Sequence, residues 1–216
     1  MHIPNGRAIV NAVAARFSPS ITSMIRMDHA HVFALFHRYK AGTSNGRKRA
    51  LLANACLALE IHAELEEEIF YPALRRKIGD DPVLDKSGPE HDEMKRLIQD
   101  LRDRLSGSDN VDVSVDDTFL KLMRAVIHHV ADEETHLLPL AERHMQEQLS
   151  ELGVEMTKRR VALLKPHAGE IAISAARSFP AGAAAGAVLL TAGALAIGTM
   201  LFSRRKPMGR RSPWRR

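Results

Sequence analysis

Cysteine is nearly absent: Cys56 is the single thiol in 216 residues. One thiol closes no disulfide and builds no thiolate zinc site. It suits a reducing compartment. Cations are also scarce where a nucleic-acid surface would need them. Seven of the 31 Lys and Arg lie in 181–216, which has no acid, so 24 remain against 26 Asp and Glu in 1–180. That near-neutral part carries no basic stripe, and nucleic acid is not expected as its partner. The N-terminal segment, residues 1–19, lacks the compact charged, apolar and cleavage regions of a secretory signal. Charge disappears altogether over 22 residues, 181–202, before Ser203-Arg204-Arg205-Lys206 restores it. A run of that length spans a bilayer, so 181–203 is expected to be a transmembrane helix followed by a basic tail, 204–216.

What the chain has in quantity is helical periodicity. Ile25, His29, Val32 and Phe36 form one stripe on a helix predicted over 22–41. Leu52, Ala55, Leu59, His62, Glu66, Ile69 and Ala73 alternate three and four residues apart on a second helix over 47–78. A third helix, opened by Ser87 and Pro89 and closed by Gly107, carries His91, Met94, Ile98, Leu101 and Leu105. The fourth, over 116–149, carries Phe119, Leu122, Val126, His129, Glu133 and Leu140. Four long amphipathic helices with short loops predict an all-α, antiparallel up-down-up-down four-helix bundle over 20–150. A short surface helix and linker are expected over 151–180.

The two halves repeat. His62-x3-Glu66-Glu67 and His129-x3-Glu133-Glu134 each have a proline ten residues after the histidine, Pro72 and Pro139. Asp28-His29 and Glu90-His91 precede them at matching places. A histidine and a carboxylate four residues apart share one helix face. A polar pair in an apolar seam is costly unless something compensates it. Six such residues on four apolar faces, His29, His62, Glu66, His91, His129 and Glu133, are therefore read as metal ligands. Imidazole and carboxylate donors suit iron, manganese or zinc. Interior proline kinks a helix, and kinks are expected about two turns beyond each glutamate. His136, one turn after Glu133, is a candidate further ligand or hydrogen-bonding support, and Tyr39 and Tyr71 are candidate donors near the site. His128 with Asp132, and His31, His37 and His144, read as surface or flank, and Cys56 as core.

These motifs together resemble the hemerythrin-like HHE cation-binding domain family, over roughly residues 20–150. The resemblance implies an antiparallel four-helix bundle around a non-haem di-iron centre. Its two iron ions would be held by the six residues above; manganese or zinc would be the substitutes, and Glu67, Glu134 and His136 are read here as candidate support. Oxygen-carrying members have a second histidine four residues after that of the third motif, where this chain has Lys95. They end in His-x4-Asp, where this chain has Glu134, with Glu133 better placed. Fewer imidazoles and more carboxylate imply a harder, more oxidisable site. The likeness then runs to bacterial hemerythrin-like proteins that handle iron, oxygen, peroxide or nitric oxide.

The expected function is thus a di-iron protein that binds or senses a diatomic ligand or peroxide. A di-iron enzyme turning over peroxide or nitric oxide is the alternative, set second because no proton shuttle or electron-donor domain is legible. A structural bundle with zinc or no metal is the third. The expected setting is a bacterial inner membrane, single-pass through 181–203, with the bundle facing the cytoplasm. Gly182-x3-Gly186 there would suit pairing into a homodimer.

Overall fold

The computed structural model describes residues 19–106 and 110–169, and these are helical with no strand among them. Helix α1, Ile21–Arg38, begins at Ser20, whose side chain accepts from the Ser23 amide at 3.2 Å. It stops three residues short of the predicted end. Tyr39 turns extended there, laying its ring 4.6 Å from that of Phe119 and donating its hydroxyl hydrogen to Asp116. Helix α2 is Asn45–Leu65, followed by a π turn, Glu66–Phe70, and by α3, Tyr71–Ile78. Gly79 ends α3 with a φ of 76°, a left-handed value that favours glycine.

The third predicted helix starts earlier than its Ser87-Pro89 signal. Helix α4 is Pro82–Ser106, because Asp81 accepts from the amides of Val83 and Leu84 at 2.9 and 3.1 Å and Pro82 occupies the first turn. The connection shrinks to 79–81. Helix α5, Val113–Asp132, is likewise capped by Asp112, which accepts from Val115 at 3.0 Å, so Asp116 lies inside the first turn. A second π turn, Glu133–Leu137, leads into α6, Leu138–His144, and then α7, Leu149–Leu164.

Cross-helix partners show the directions. Between α4 and α5 they run Lys86 to Asp132, Glu90 to His129, Asp100 to Thr118 and Arg104 to Ser114, so one sequence rises as the other falls. Arg26 with Glu134 and Tyr39 with Asp116 run α1 against the helix of α5 in the same way. The helices are therefore antiparallel. Every residue of the predicted second-helix stripe is buried, as are Ile25, Val32, Phe36, Met94, Ile98, Leu101, Phe119, Leu122 and Val126. At roughly 1.5–3 kcal/mol per large side chain, this burial is the main favourable term. The core forms two apolar clusters, one around Ile25, Leu65, Phe70 and Leu137, the other around Phe36, Leu52, Met94 and Phe119. The histidines and glutamates of the stripes lie between them in sequence on every helix.

Helix α7 packs on α1 and α2 and contributes the fully buried Met156 to the first cluster. Gly153 is the close approach. A methyl group there would overlap the Pro19 carbonyl oxygen and come to 3.2 Å from the Ile21 nitrogen, and backbone cannot swing aside. We expect Gly153→Ala to lower stability by roughly 1–3 kcal/mol in urea unfolding; wild-type stability would mean that α7 is not seated against α1 in solution.

The expected inner-membrane placement is corrected. Among the described residues no helix is long and apolar enough to cross a membrane. The apolar run 181–203, the basic tail, residues 1–18 and Gly107 lie outside the described residues.

Candidate metal centre

All six predicted ligands are buried between the two apolar clusters: His29, His62, His91 and His129 are at most 4% exposed, and Glu66 and Glu133 are 0%. Their donor atoms fall into two groups that share Glu66. One is His29, His62, Glu66 and Glu133; the other is Glu66, His91 and His129; within each, the atoms lie within 4.8 Å of one another. The four imidazoles present Nε2 inward. His29 Nε2 is 3.1 Å from Glu133 Oε2, His62 Nε2 is 3.2 Å from Glu66 Oε2, and His91 Nε2 is 3.0 Å from His129 Nε2. Two donors each about 2.1 Å from one ion lie roughly 3.0–3.4 Å apart, so these separations match ligand edges. His62 Nε2 and Glu66 Oε1 are buried with no hydrogen-bond partner. Orphaned buried polar atoms are costly, and a cation would satisfy both.

Each imidazole is held from behind. His29 Nδ1 faces Glu134 at 2.9 Å, His91 Nδ1 faces Glu67 at 2.9 Å, His129 Nδ1 faces Glu90 at 2.9 Å, and His62 Nδ1 faces Asp28 at 3.4 Å. Carboxylates of this kind fix the ring and its tautomer and make the inner nitrogen a better donor. Each is itself backed by a cation: Arg26 on Glu134, Lys95 on Glu67, Lys86 near Glu90 and Arg160 on Asp28. Glu67 and Glu134, the expected supporting residues, are two of these four carboxylates. Asp28 and Glu90 share it, and the signal for them was present: an acid directly before the histidine in both repeats. Lys95, which stands in place of a carrier's histidine, reaches the Glu67 carboxylate at 2.7 Å.

The π turns explain the rest. In them the Tyr71 amide bonds to the Glu66 carbonyl and the Leu138 amide to the Glu133 carbonyl, one residue wider than an α-helix. The two prolines follow directly on this widening, Pro72 and Pro139 each being the second residue of the α-helix that resumes after it. Pro72 and Pro139 would press on the carbonyls of Glu68 and Thr135, four residues back, and both carbonyls lie inside the π turns. Five residues cover about 140° past a full turn of α-helix, which would turn Tyr71 away from Glu66. The π turn returns it. Its hydroxyl donates to Glu133 at 2.8 Å and lies 3.2 Å from Glu66 Oε2 and 3.3 and 3.4 Å from the Nε2 atoms of His91 and His129. Tyr39 instead belongs to the far end of the bundle. His136 is not brought in: it is 43% exposed, with Nε2 on Asp81 at 2.9 Å. His136→Ala should leave metal content within error of wild type, as measured by elemental analysis; a lost equivalent would return it to the site.

The charges in the layer act on one another. Burial opposes charge on His129, but the Glu66 and Glu90 carboxylates and the Glu133 charge push it up to about 10. His62 is raised despite burial, by Glu66 and Asp28, and Glu66 is held well below the usual carboxylate range despite its own burial, by His62, His129 and His91. Burial opposes the Asp28 charge too, but Arg160 and His62 bring it down to about 2. Burial and the two glutamates keep Tyr71 protonated, well above its ordinary value. A small apolar cavity of about 10 Å³ adjoins the imidazoles, lined in part by Val32, Leu59, Met94, Ile98, Val126 and Val130. It has room for roughly one water-sized molecule.

Residues 20–141, more than half of the chain, match the Hemerythrin HHE cation binding domain. The chain belongs to this family. The chain is also similar to a DNA nickase of Nostoc sp. (strain PCC 7120 / SAG 25.82 / UTEX 2576), 28% identical over 132 residues, which is 61% of this chain and 36% of the relative. The chain thus spans about a third of that relative's length. No solved structure matches. A His/Glu cluster able to hold a metal ion sits within the HHE domain's matched residues.

Proposed function

We propose that the HHE domain holds two iron ions in the paired donor groups and there binds or senses a small ligand, a diatomic gas or peroxide. The observation that carries this is the convergence of four Nε2 atoms and two buried carboxylates, two of whose inward atoms have no hydrogen-bond partner. His29, His62, Glu66 and Glu133 would hold one ion, and Glu66, His91 and His129 the other. Mixed imidazole and carboxylate donors favour iron, with manganese or zinc as substitutes. Bound iron would supply an open coordination position and a change of oxidation state. The chain's own residues orient the imidazoles through Asp28, Glu67, Glu90 and Glu134, and the apolar cavity limits what can approach to small molecules.

Elemental analysis of protein purified without added metal, with optical spectra in air and under nitrogen, tests this. Two iron equivalents and an oxygen- or peroxide-dependent absorption band are expected; stoichiometric zinc, or no metal, would sink the reading. Turnover of peroxide or nitric oxide is the second reading, and one observation favours it. Tyr71 presents its hydroxyl at the centre of the donor set, donating to Glu133 at 2.8 Å, where a molecule held by the ions would meet a hydrogen-bond donor. If so, Tyr71→Phe should slow steady turnover while leaving iron content unchanged. DNA nicking, the activity in the relative's name, stays with that protein.

A further inference from the structure

The four carboxylates behind the imidazoles differ in where their cations come from. Glu134 is backed by Arg26 of α1, Glu67 by Lys95 and Glu90 by Lys86, both of α4. All three cations belong to residues 20–141. Asp28 is backed from outside that range, by Arg160 of α7. The guanidinium grips it with two bonds, Nη1 to Oδ1 and Nη2 to Oδ2, each 2.6 Å. Paired, planar contacts of this kind fix orientation as well as charge. The contact is largely shielded, with the Arg160 and Asp28 side chains 22% and 16% exposed. Oδ2, which takes one of those bonds, is also the oxygen facing His62 Nδ1. The Asp28–His62 distance, 3.4 Å, is the longest of the four, the other three being 2.9 Å. His62 is also the one imidazole of the set whose inner nitrogen has no hydrogen-bond partner.

The seat of α7 depends on the methyl-free contact of Gly153 with Pro19 and on buried Met156. Arg159, next to Arg160, points elsewhere, onto Glu64 and Glu68 at the surface. Two adjacent arginines on one docked helix thus separate docking from the reach toward the centre.

We infer that α7 acts as a latch on one half of the centre: Arg160 is a positioning residue that, through Asp28, sets His62 and so governs how firmly the ion of the His29–His62–Glu66–Glu133 group is held. The other group has no contact of this kind with α7. Breaking the Arg160–Asp28 contact would loosen one ion and leave its neighbour. The inference rests on the two-ion reading proposed above.

The test is a chelator challenge of full-length protein loaded with two equivalents of Fe(II) under nitrogen, with iron release followed over time. Wild type, Arg160→Ala, Arg160→Lys, Arg159→Ala and Gly153→Val are compared, with far-UV helicity confirming that each is folded. In Arg160→Ala one equivalent should leave at least tenfold faster and the other at the wild-type rate, outer contacts of this type being worth about 10–100-fold in metal affinity. Gly153→Val, which unseats α7 as a whole and so also frees Arg159 from Glu68, should release that same equivalent at least as fast as Arg160→Ala does. Arg160→Lys should recover part of the retention, and Arg159→Ala should match wild type. Equal acceleration of both equivalents, wild-type release from Arg160→Ala, or an Arg159→Ala effect as large as that of Arg160→Ala would overturn the latch while leaving two-ion binding intact. Failure of wild type itself to take up Fe(II) would instead remove the two-ion reading on which the latch rests.

Discussion

Glu66→Gln will abolish metal retention and destabilise the metal-free protein at the same time. Glu66 is shared by both donor groups and is 0% exposed. An amide in its place offers one neutral oxygen where the carboxylate offers two charged ones, so both groups lose their common donor. Without metal, the loss is of another kind. His62 and His129 are held toward the charged form largely by this carboxylate, and removing one partner of a buried charge set costs about 3–5 kcal/mol. Elemental analysis and urea unfolding of the chelated protein read the two effects separately. Full iron content in the variant would remove Glu66 from the ligand set. Glu67→Gln, by contrast, alters only the support of His91 and should weaken retention by roughly 10–100-fold.

The pH response of the metal-free protein should be large and lopsided. His129 rises from an ordinary value near 6.5 to about 10 on folding. Its contribution is therefore complete below about pH 6.5 and disappears as the pH climbs through 10. At 1.36 kcal/mol per unit, the whole effect is at most roughly 5 kcal/mol. Glu66 works the other way. Its folded value is depressed, so its contribution is present above the ordinary carboxylate range and is lost as acid titrates it. The metal-free protein should be most stable between about pH 4.5 and 6.5. Metal uptake has the opposite slope, because imidazolium must release its proton to bind, so affinity should rise with pH. Urea unfolding of chelated protein at pH 6, 8 and 10 should give falling stability. Calorimetric titration with Fe(II) in two buffers of different ionisation enthalpy should report released protons. A flat stability profile would mean that His129 folds neutral.

Much of this cluster was legible because its candidate donors sit on stripes. His29, His62, Glu66, His91, His129 and Glu133 keep the three-four spacing of their apolar neighbours, and the structure buries all six together. Helix starts were less legible at α4 and α5, where Asp81 and Asp112 capture free amides that compete with the Ser87 and Asp116 signals. Tyr71 was named as a candidate donor near the site, but its central position was masked by a change of period. Its place comes from a wider turn, which constant α-helical spacing cannot represent. His136 failed for the same reason: spacing three from Glu133 was counted along a regular helix, whereas the chain is widened at that glutamate. Arg160 was out of reach because it joins the centre through tertiary packing of α7, with no repeat partner to mark it.

The two π turns also make each long helix tolerant of its own length. Each is one surplus residue already absorbed, with α-helix resuming at Tyr71 and at Leu138. Removing one residue between the glutamate and that point, such as Glu68, would restore a regular turn without changing the rotational phase of the helix beyond it. Leu74 would keep its seat in the core, while Tyr71 would stand four residues from Glu66 instead of five. The apolar ends of the bundle are thereby geared separately from the polar layer, so the spacing around the candidate donors can change by a residue without redesigning either end.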